Sequence, residues 1–232
     1  WTVFAAPTAG AVNGSAPTYV GVLDRTDKTR VERYLNGRAS DIATIDKNTG
    51  TKDAWKHVDL VISGKTAKLY VDKKFVANNV NGEDLKSILG GSGGVLQIGK
   101  GNWGNGEYFT GLLDNFMIYG SALSAADLGI ASPTAIEISG SNVKDGELSL
   151  KEGNSASLSA TVTPEGADPT VTWESNNPAV ATVDANGKVT GVKAGTATIT
   201  AASEADAAKT AELKVTVTEV KADDAYGYVM VH

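Results

Sequence analysis

Alternating small polar and apolar residues are the clearest pattern in this chain. Between positions 172 and 201, short runs rich in Val and Thr are separated by glycines every few residues. Residues 196–201 read TATITA, the period of a strand with one buried face. The pair Asn186-Gly187 marks a turn, because both residues tolerate positive φ angles. The pattern predicts a β-sandwich and not a helix.

The first part of the chain repeats this alternation with other spacings. Residues 57–63 (HVDLVIS) and 67–72 (AKLYVD) are two strand-like runs joined by a Gly-Lys turn, which predicts a β-meander. The densely charged residues 24–33 suit a twisted hairpin better than a helix in such a domain. Residues 112–119 (LLDNFMIY) are predicted to form a buried strand, interrupted by Asp114. The fold class predicted for the whole chain is all-β.

The pattern that begins at Trp173 is long enough to indicate a family. It reads W-x-S-x-N-P-x-V-A-T-V-D-x-x-G-K-V-T-G-V-x-A-G-T-A-T-I-T-A and ends at residue 201. It resembles the core of the bacterial immunoglobulin-like group 2 domain, which we expect over residues 134–219. Such domains are mostly spacers or adhesive modules of exported bacterial proteins. We expect Trp173 to be the largest side chain in an interior that five aliphatic residues fill: Val180, Val183, Val189, Val192 and Ile199.

A second resemblance covers the earlier residues. W-x-H-V-x-L-V-x-x-G-x-x-x-x-L-Y-V-D over residues 55–72, followed by F-x-G-L-L-D-N-F-M-I-Y-x-x-A-L-S over residues 109–124, resembles the concanavalin A-like, laminin-G-type jelly roll. The resemblance implies two facing antiparallel sheets in residues 1–131, with Trp55 in the core. The opening strands of that family have no counterpart before Trp1, so we expect this domain to be truncated at its N-terminus.

The last residues of the chain indicate a further domain after the Ig-like one. Residues 220–232 are predicted to be a linker and the first strand of that domain, since YGYVMV is an apolar strand with no partner nearby. The domain order resembles the approach to a glycoside hydrolase family 43 catalytic propeller. This resemblance implies that the chain is an accessory segment of a multidomain glycoside hydrolase, arabinofuranosidase- or xylosidase-like, whose catalytic acids lie beyond residue 232.

Composition and charge exclude several classes of function. Residues 1–131 carry a net charge of +1 and residues 132–232 a net charge of −7, which together give the −6 of the whole chain. An acidic second half without a basic stripe argues against binding to nucleic acids or anionic membranes. The chain has no cysteine, and no apolar run is long enough to span a bilayer. We therefore expect neither nucleic-acid binding nor membrane insertion in this segment.

Catalytic motifs do not emerge from the sequence. The two histidines, His57 and His232, have no acid or second ligand placed beside them by spacing. Glycosidases need two carboxylates that face each other across a cleft, and none of the many carboxylates here lies in a motif that selects such a pair. No Ser/His/Asp order and no metal-ligand spacing is present. We predict that this segment has no catalytic residues and is not itself an enzyme.

The loop 100–108, KGNWGNGEY, has the composition of a carbohydrate site. Trp103 would stack on a sugar ring, Asn102, Asn105 and Glu107 would bind hydroxyl groups, and Tyr108 would assist. The alternative is that Trp103 folds down and covers one end of the sandwich. The resemblance to the jelly roll further implies a structural calcium at Asp114, against the simpler interpretation that this carboxylate caps backbone amides. The sequence leaves this metal undecided and indicates no other cofactor.

The combined prediction is a non-catalytic, carbohydrate-binding and spacer segment of a secreted bacterial glycoside hydrolase that acts on plant or host glycans. Its expected partners are a glycan or polysaccharide and a catalytic domain in the same polypeptide, and its expected location is extracellular or at the cell surface. The alternative is a segment of a surface adhesin in which both domains serve attachment. The sequence after His232 would distinguish the two, because propeller strands favour the hydrolase and further Ig repeats favour the adhesin.

Overall fold

The computed structural model describes residues 2–7, 17–24, 28–37, 45–48, 54–80, 82–90, 94–101 and 108–220. The chain divides into two compact units, Trp1–Gly129 and Ile130–His232. In both units the described elements are β-strands, apart from one short helix in the first. The all-β prediction is therefore confirmed. Among the described residues, no helix has both the length and the hydropathy that crossing a bilayer requires.

The first unit is built from short strands in two antiparallel sheets. Its elements are β1 (Val3–Ala6), β2 (Tyr19–Asp24), β3 (Lys28–Tyr34), β4 (Ile45–Asn48), β5 (Val58–Ser63), β6 (Thr66–Val71), β7 (Lys74–Asn79), α1 (Leu85–Leu89) and β8 (Val95–Ile98). One sheet has the order β4-β3-β2-β1-β8, and the other is the meander β5-β6-β7. The predicted meander is confirmed, as is the hairpin through the charged residues, which pairs β2 with β3.

The core of the first unit lies between these two sheets. Val22 and Val31 are opposite each other in β2 and β3, and they pack with Leu69 and Ala77 of the meander. The other face of the five-stranded sheet carries a separate aromatic cluster of Phe4 and Tyr19, with Ala6, against which Tyr34 packs. The alternation along each strand thus places apolar groups on both faces of this sheet.

Two predictions about the first unit are wrong. Residues 112–119 form no strand, and their apolar side chains are 42–77% exposed. Asn115 takes a positive φ of 52° in the middle of the run, and no described strand pairs with these residues, so they are not part of a described sheet that would bury their side chains. Trp55, expected in the core, precedes β5 and is 65% exposed.

The second unit is a β-sandwich. Its strands are β9 (Ala135–Ser139), β10 (Val143–Lys144), β11 (Glu147–Lys151), β12 (Ser155–Ser157), β13 (Ser159–Thr163), β14 (Val171–Ser175), β15 (Ala181–Val183), β16 (Lys188–Gly191), β17 (Gly195–Ser203) and β18 (Thr210–Thr218). The main sheet has the order β10-β11-β18-β17-β14, in which β11 and β18 are parallel and the other pairs antiparallel. Smaller sheets, β12-β16-β15 and β13-β9, complete the unit.

A single aliphatic cluster fills the second unit. Leu148, Val189, Ile199 and Val215 are fully buried in it, and their strands come from two different sheets. Trp173 packs against this cluster but is only half-buried, so it lies at the edge of the interior and not at its centre. The expectation that Val192 lies inside is wrong: it follows the end of β16 and is 49% exposed.

Candidate functional site

The structure describes only part of the loop predicted to bind sugar. Asn102, Trp103, Asn105 and Glu107 lie outside the described residues, whereas Lys100 and Tyr108 are described. These two residues form an antiparallel bridge, and the Phe109 N–H donates to the Gly99 carbonyl oxygen over 2.9 Å. The base of the loop is therefore closed directly after β8, and it holds both ends of the predicted site together.

Tyr108 is an exposed aromatic group at this base. It is 60% exposed, and the Lys100 ammonium nitrogen lies 5.5 Å from the centroid of its ring. This distance allows a cation–π attraction between the ammonium group and the ring. The pair offers a ligand an aromatic surface for C–H groups and an ammonium donor for hydroxyl oxygens. An aromatic surface and a hydrogen-bond donor are groups that can bind a sugar ring. Of the residues predicted to bind sugar, Tyr108 is the one that the structure describes.

A second group of polar and aromatic side chains was missed by sequence reasoning. The Tyr19 hydroxyl donates to Glu32 Oε2 over 2.6 Å, and Arg30 Nε lies 2.6 Å from Glu32 Oε1 as an ion pair without hydrogen-bond alignment. The Tyr34 ring stacks on Tyr19 at 4.7 Å between centroids, and Phe4 lies at 5.4 Å from the same ring. The sequence carries no local signal for this group, because its members are brought together by the register of β2 and β3, which places Tyr19 opposite Tyr34.

This buried cluster is organised for stability more than for chemistry. Burial, reinforced by the hydrogen bond to Glu32, raises the pKa of Tyr19 far above its ordinary value. The phenol therefore stays protonated and keeps donating at any physiological pH. Tyr19 and Glu32 are both buried, so of this group a ligand would reach the Arg30 side chain, which is 40% exposed, and the half-buried Tyr34. The cluster thus supports the sheet, and Arg30 and Tyr34 are its accessible edge.

The remaining candidates form local contacts. His57 Nε2 lies 3.0 Å from Asp59 Oδ1 on the exposed start of β5. Asp114 Oδ1 accepts the Asn115 N–H at 2.8 Å, which is the capping contact considered for this carboxylate. Among the residues that the structure describes, no three His, Cys, Asp or Glu side chains come together as a metal site would require. Neither pair by itself makes an acid–base or metal centre.

Two family models match the chain in succession. The concanavalin A-like lectin/glucanases superfamily matches residues 2–129, more than half of the chain, and the bacterial Ig-like domain (group 2) matches residues 137–215. The two units of the structure correspond to these matches. The resemblances of the sequence to these two domain families are thereby confirmed.

Curated relatives come from bifidobacteria. An alpha-L-arabinofuranosidase of Bifidobacterium longum is 35% identical over 86% of this chain and 19% of its own length. A 3-O-alpha-D-galactosyl-alpha-L-arabinofuranosidase of the same species is 51% identical over 39% of this chain and 8% of its own. A lacto-N-biosidase of Bifidobacterium bifidum is 48% identical over 37% of this chain and 8% of its own. The chain thus spans less than a fifth of these hydrolases.

Solved structures superpose on this chain with low scores. A mutant intimin of EHEC O157:H7 shares 27% identity over 37% of this chain and 47% of that chain, with a TM-score of 0.30. This score is too low to indicate a common overall architecture. On the family matches, the chain belongs to the concanavalin A-like lectin/glucanases superfamily, with a bacterial immunoglobulin-like group 2 domain after its lectin-like domain.

Proposed function

We propose that this chain is a non-catalytic segment of a secreted bacterial glycoside hydrolase, in which the jelly roll binds carbohydrate and the Ig-like domain is a spacer. One observation carries the proposal: the curated relatives are glycoside hydrolases, and the chain spans at most 19% of their length. Most of the chain recurs in one of these hydrolases, and 37–39% of it recurs in the other two, as a small part of each. Such a distribution suits an accessory role better than a catalytic one.

The geometry at the base of the loop supports carbohydrate binding. Tyr108 is exposed and lies within cation–π distance of Lys100, and the residues between them in sequence supply amides, a carboxylate and Trp103. Stacking aromatics and a few hydrogen-bonding groups are what a shallow sugar site requires. Because two of the relatives are named as arabinofuranosidases, arabinose-containing glycans are the first ligands to test. A catalytic domain in the same polypeptide, of family 43 as proposed, would act on the glycan held here.

The second unit supports the spacer role. Its core is a single aliphatic cluster. Since the chain has no cysteine, this domain is stabilised without a disulfide. A domain of this kind holds its shape without a ligand, which suits a module that sets the distance between a binding domain and a catalytic one. Its net negative charge also keeps it soluble outside the cell.

A glycan array of plant and host oligosaccharides, followed by calorimetric titration, tests the binding function. We expect selective binding that Trp103→Ala and Tyr108→Ala each weaken by at least tenfold, with little change in melting temperature. Trp55→Ala is the matched control, because Trp55 is 65% exposed, close to the 60% of Tyr108, but lies away from the loop in sequence. Binding to none of the arrayed glycans, or equal loss in the control variant, would contradict carbohydrate binding by this loop.

A further inference from the structure

The register of the five-stranded sheet aligns Arg30 with the base of the loop 100–108. Gly99 follows β8 directly, and its N–H donates to the Thr2 carbonyl oxygen at 2.9 Å, just before β1. The pairing of β1 with β2 places Thr2 beside Leu23, which is in turn opposite Arg30 on β3. These residues, called here the end row, lie side by side at one end of the sheet: Gly99, Thr2, Leu23 and Arg30.

The end row is accessible, whereas the row behind it is buried. Its first three members are half-buried, and the Arg30 side chain is 40% exposed. Further into the sheet on the same face, Phe4 is 0% exposed and Glu32 is 6% exposed. A glycan that crosses this face can therefore contact the end row but not the cluster behind it.

Glu32 orients the guanidinium at the far end of this row. Arg30 Nε lies 2.6 Å from Glu32 Oε1, and the Tyr19 hydroxyl donates to the other oxygen of the same carboxylate at 2.6 Å. The carboxylate is thus contacted at both oxygens, which defines its position. Among the described residues, neither Nη group of Arg30 has a hydrogen-bond or ion-pair partner. The N–H donors of both Nη groups therefore remain for a ligand.

The charge balance around Arg30 favours a neutral ligand. The ion pair with Glu32 offsets the charge of the guanidinium. Lys28, an exposed cation on the same strand, is offset in formal charge by Asp46, which is opposite Arg30 on β4. An anion would gain little here, whereas hydroxyl oxygens accept from N–H groups without a charge of their own. Leu23 adds apolar area for the C–H groups of a sugar, so the surface suits a neutral glycan.

We propose that the end row extends the carbohydrate site of the loop 100–108, and that Arg30 binds a hydroxyl group on a more distant unit of the same neutral glycan. This inference rests on the proposed function, because the loop holds the first unit. Arg30 is separated from Gly99 by three strand spacings, about 14 Å, which is longer than one sugar ring. A short ligand in the loop does not reach it. Arg30 thus makes the site selective for longer chains.

Calorimetric titration of residues 1–232 with an arabinose disaccharide and an arabinose hexasaccharide tests this inference. We expect the hexasaccharide to bind about tenfold more tightly, because it alone reaches Arg30. Arg30→Lys keeps a cation beside Glu32 but loses the planar pair of Nη donors. It should cancel this gain and leave the disaccharide affinity and the melting temperature unchanged. Because the ligand carries no charge, the gain should persist at high salt.

Lys47→Ala is the matched control. It removes an exposed cation from the neighbouring strand β4, but the register places Lys47 opposite the fully buried Thr29, on the other face of the sheet. The gain should survive in this variant. Equal affinity of the parent chain for the two oligosaccharides, a gain that persists in Arg30→Lys, or an equal loss in Lys47→Ala would overturn the inference and leave the loop site standing. Binding of neither oligosaccharide would contradict the proposed function, and this inference with it.

Discussion

The jelly roll and the Ig-like domain bury different kinds of side chain. The Ig-like domain is filled by one cluster of aliphatic residues from both of its larger sheets, with Ile199 and Val215 among its fully buried members. The jelly roll divides its apolar core into two clusters and buries Arg33 and Glu32 as well, whereas the buried charged residue described in the Ig-like domain is Asp168. The two domains are both all-β and lack cysteine, and each is thus stabilised by a different kind of interior.

One guanidinium shows what the polar interior contributes. Arg33 leaves β3 and donates to the Lys65 carbonyl oxygen at 3.0 Å, the Glu83 carbonyl oxygen at 3.1 Å and Asn79 Oδ1 at 3.1 Å. It therefore joins the five-stranded sheet to the meander and to the start of α1. Burial lowers the pKa of Arg33, with Glu83 opposing, but an arginine stays charged at any physiological pH. The jelly roll should be sensitive to polar changes, and the Ig-like domain to changes in volume.

The largest expected effect is at this arginine. Arg33→Ala leaves several buried carbonyl groups without a donor and should lower the free energy of unfolding of the jelly roll by about 4 kcal/mol. Differential scanning calorimetry should show this as a shift of one transition, with the Ig-like transition unchanged. Lys74→Ala, at an exposed position of β7, is the control and should change stability by less than about 0.5 kcal/mol. A small effect of Arg33→Ala would remove the distinction between the two cores.

The aliphatic core gives the complementary test. Ile199→Ala should lower the free energy of unfolding of the Ig-like domain by about 3 kcal/mol, because the cavity lies in a fully buried cluster. The jelly-roll transition should not move. Val192→Ala, at an exposed residue nearby in sequence, should have almost no effect on either transition. If both transitions moved together in Ile199→Ala, the two domains would be one cooperative unit.

A pair of glycines sharpens the comparison within the Ig-like domain. Gly187 and Gly153 have φ angles of +77° and +80°, so alanine is strained at either position by about 1–2 kcal/mol. A Cβ at Gly187 would also lie 2.7 Å from the Leu158 carbonyl oxygen and 3.1 Å from the Trp173 ring, whereas Gly153 has open space. Urea unfolding should therefore show a greater loss for Gly187→Ala than for Gly153→Ala. Equal losses would mean that packing at Trp173 is loose.

The smallest expected effect is on the stability of the jelly roll at acid pH. Asp84 accepts the Ser87 N–H at 2.8 Å and the Ser87 hydroxyl at 2.9 Å, and these bonds hold its pKa below the ordinary value. A lowered folded-state pKa stabilises the domain above the unfolded pKa of about 4, and this gain is lost as the pH falls through the folded value. Asp84→Asn should flatten that part of the pH–stability curve. An unchanged curve below pH 5 would show that the cap contributes nothing there.

Sequence reasoning succeeded where structure is set locally. Alternation over residues 57–72 and the Asn186-Gly187 pair predicted strands and a turn that the structure confirms. It failed for Trp55 and for residues 112–119, because burial depends on which strands face a residue and alternation does not reveal this. Most of the predicted sugar site lies outside the described residues, so it stays a prediction, with Tyr108 as its described part.

The burial of these polar groups could not be predicted from the sequence for a related reason. Arg33 belongs to a densely charged run that suggests a twisted hairpin, and its carbonyl acceptors come from Lys65, before β6, and Glu83, before α1, both far from it in sequence. The contact of Tyr19 with Glu32 likewise depends on the register of two strands, which one-dimensional spacing does not fix. Local rules predict elements, and tertiary partners decide which charges are buried.

As proposed above, the chain binds a glycan and does not cleave it. Saturation-transfer NMR with an arabinan oligosaccharide, followed over a day in one sample, measures both properties. We expect transfer from protein to sugar that is lost in Tyr108→Ala, with no new anomeric signals over that time. New anomeric signals from released sugar, or no transfer from this ligand or any glycan found on the array, would contradict the claim.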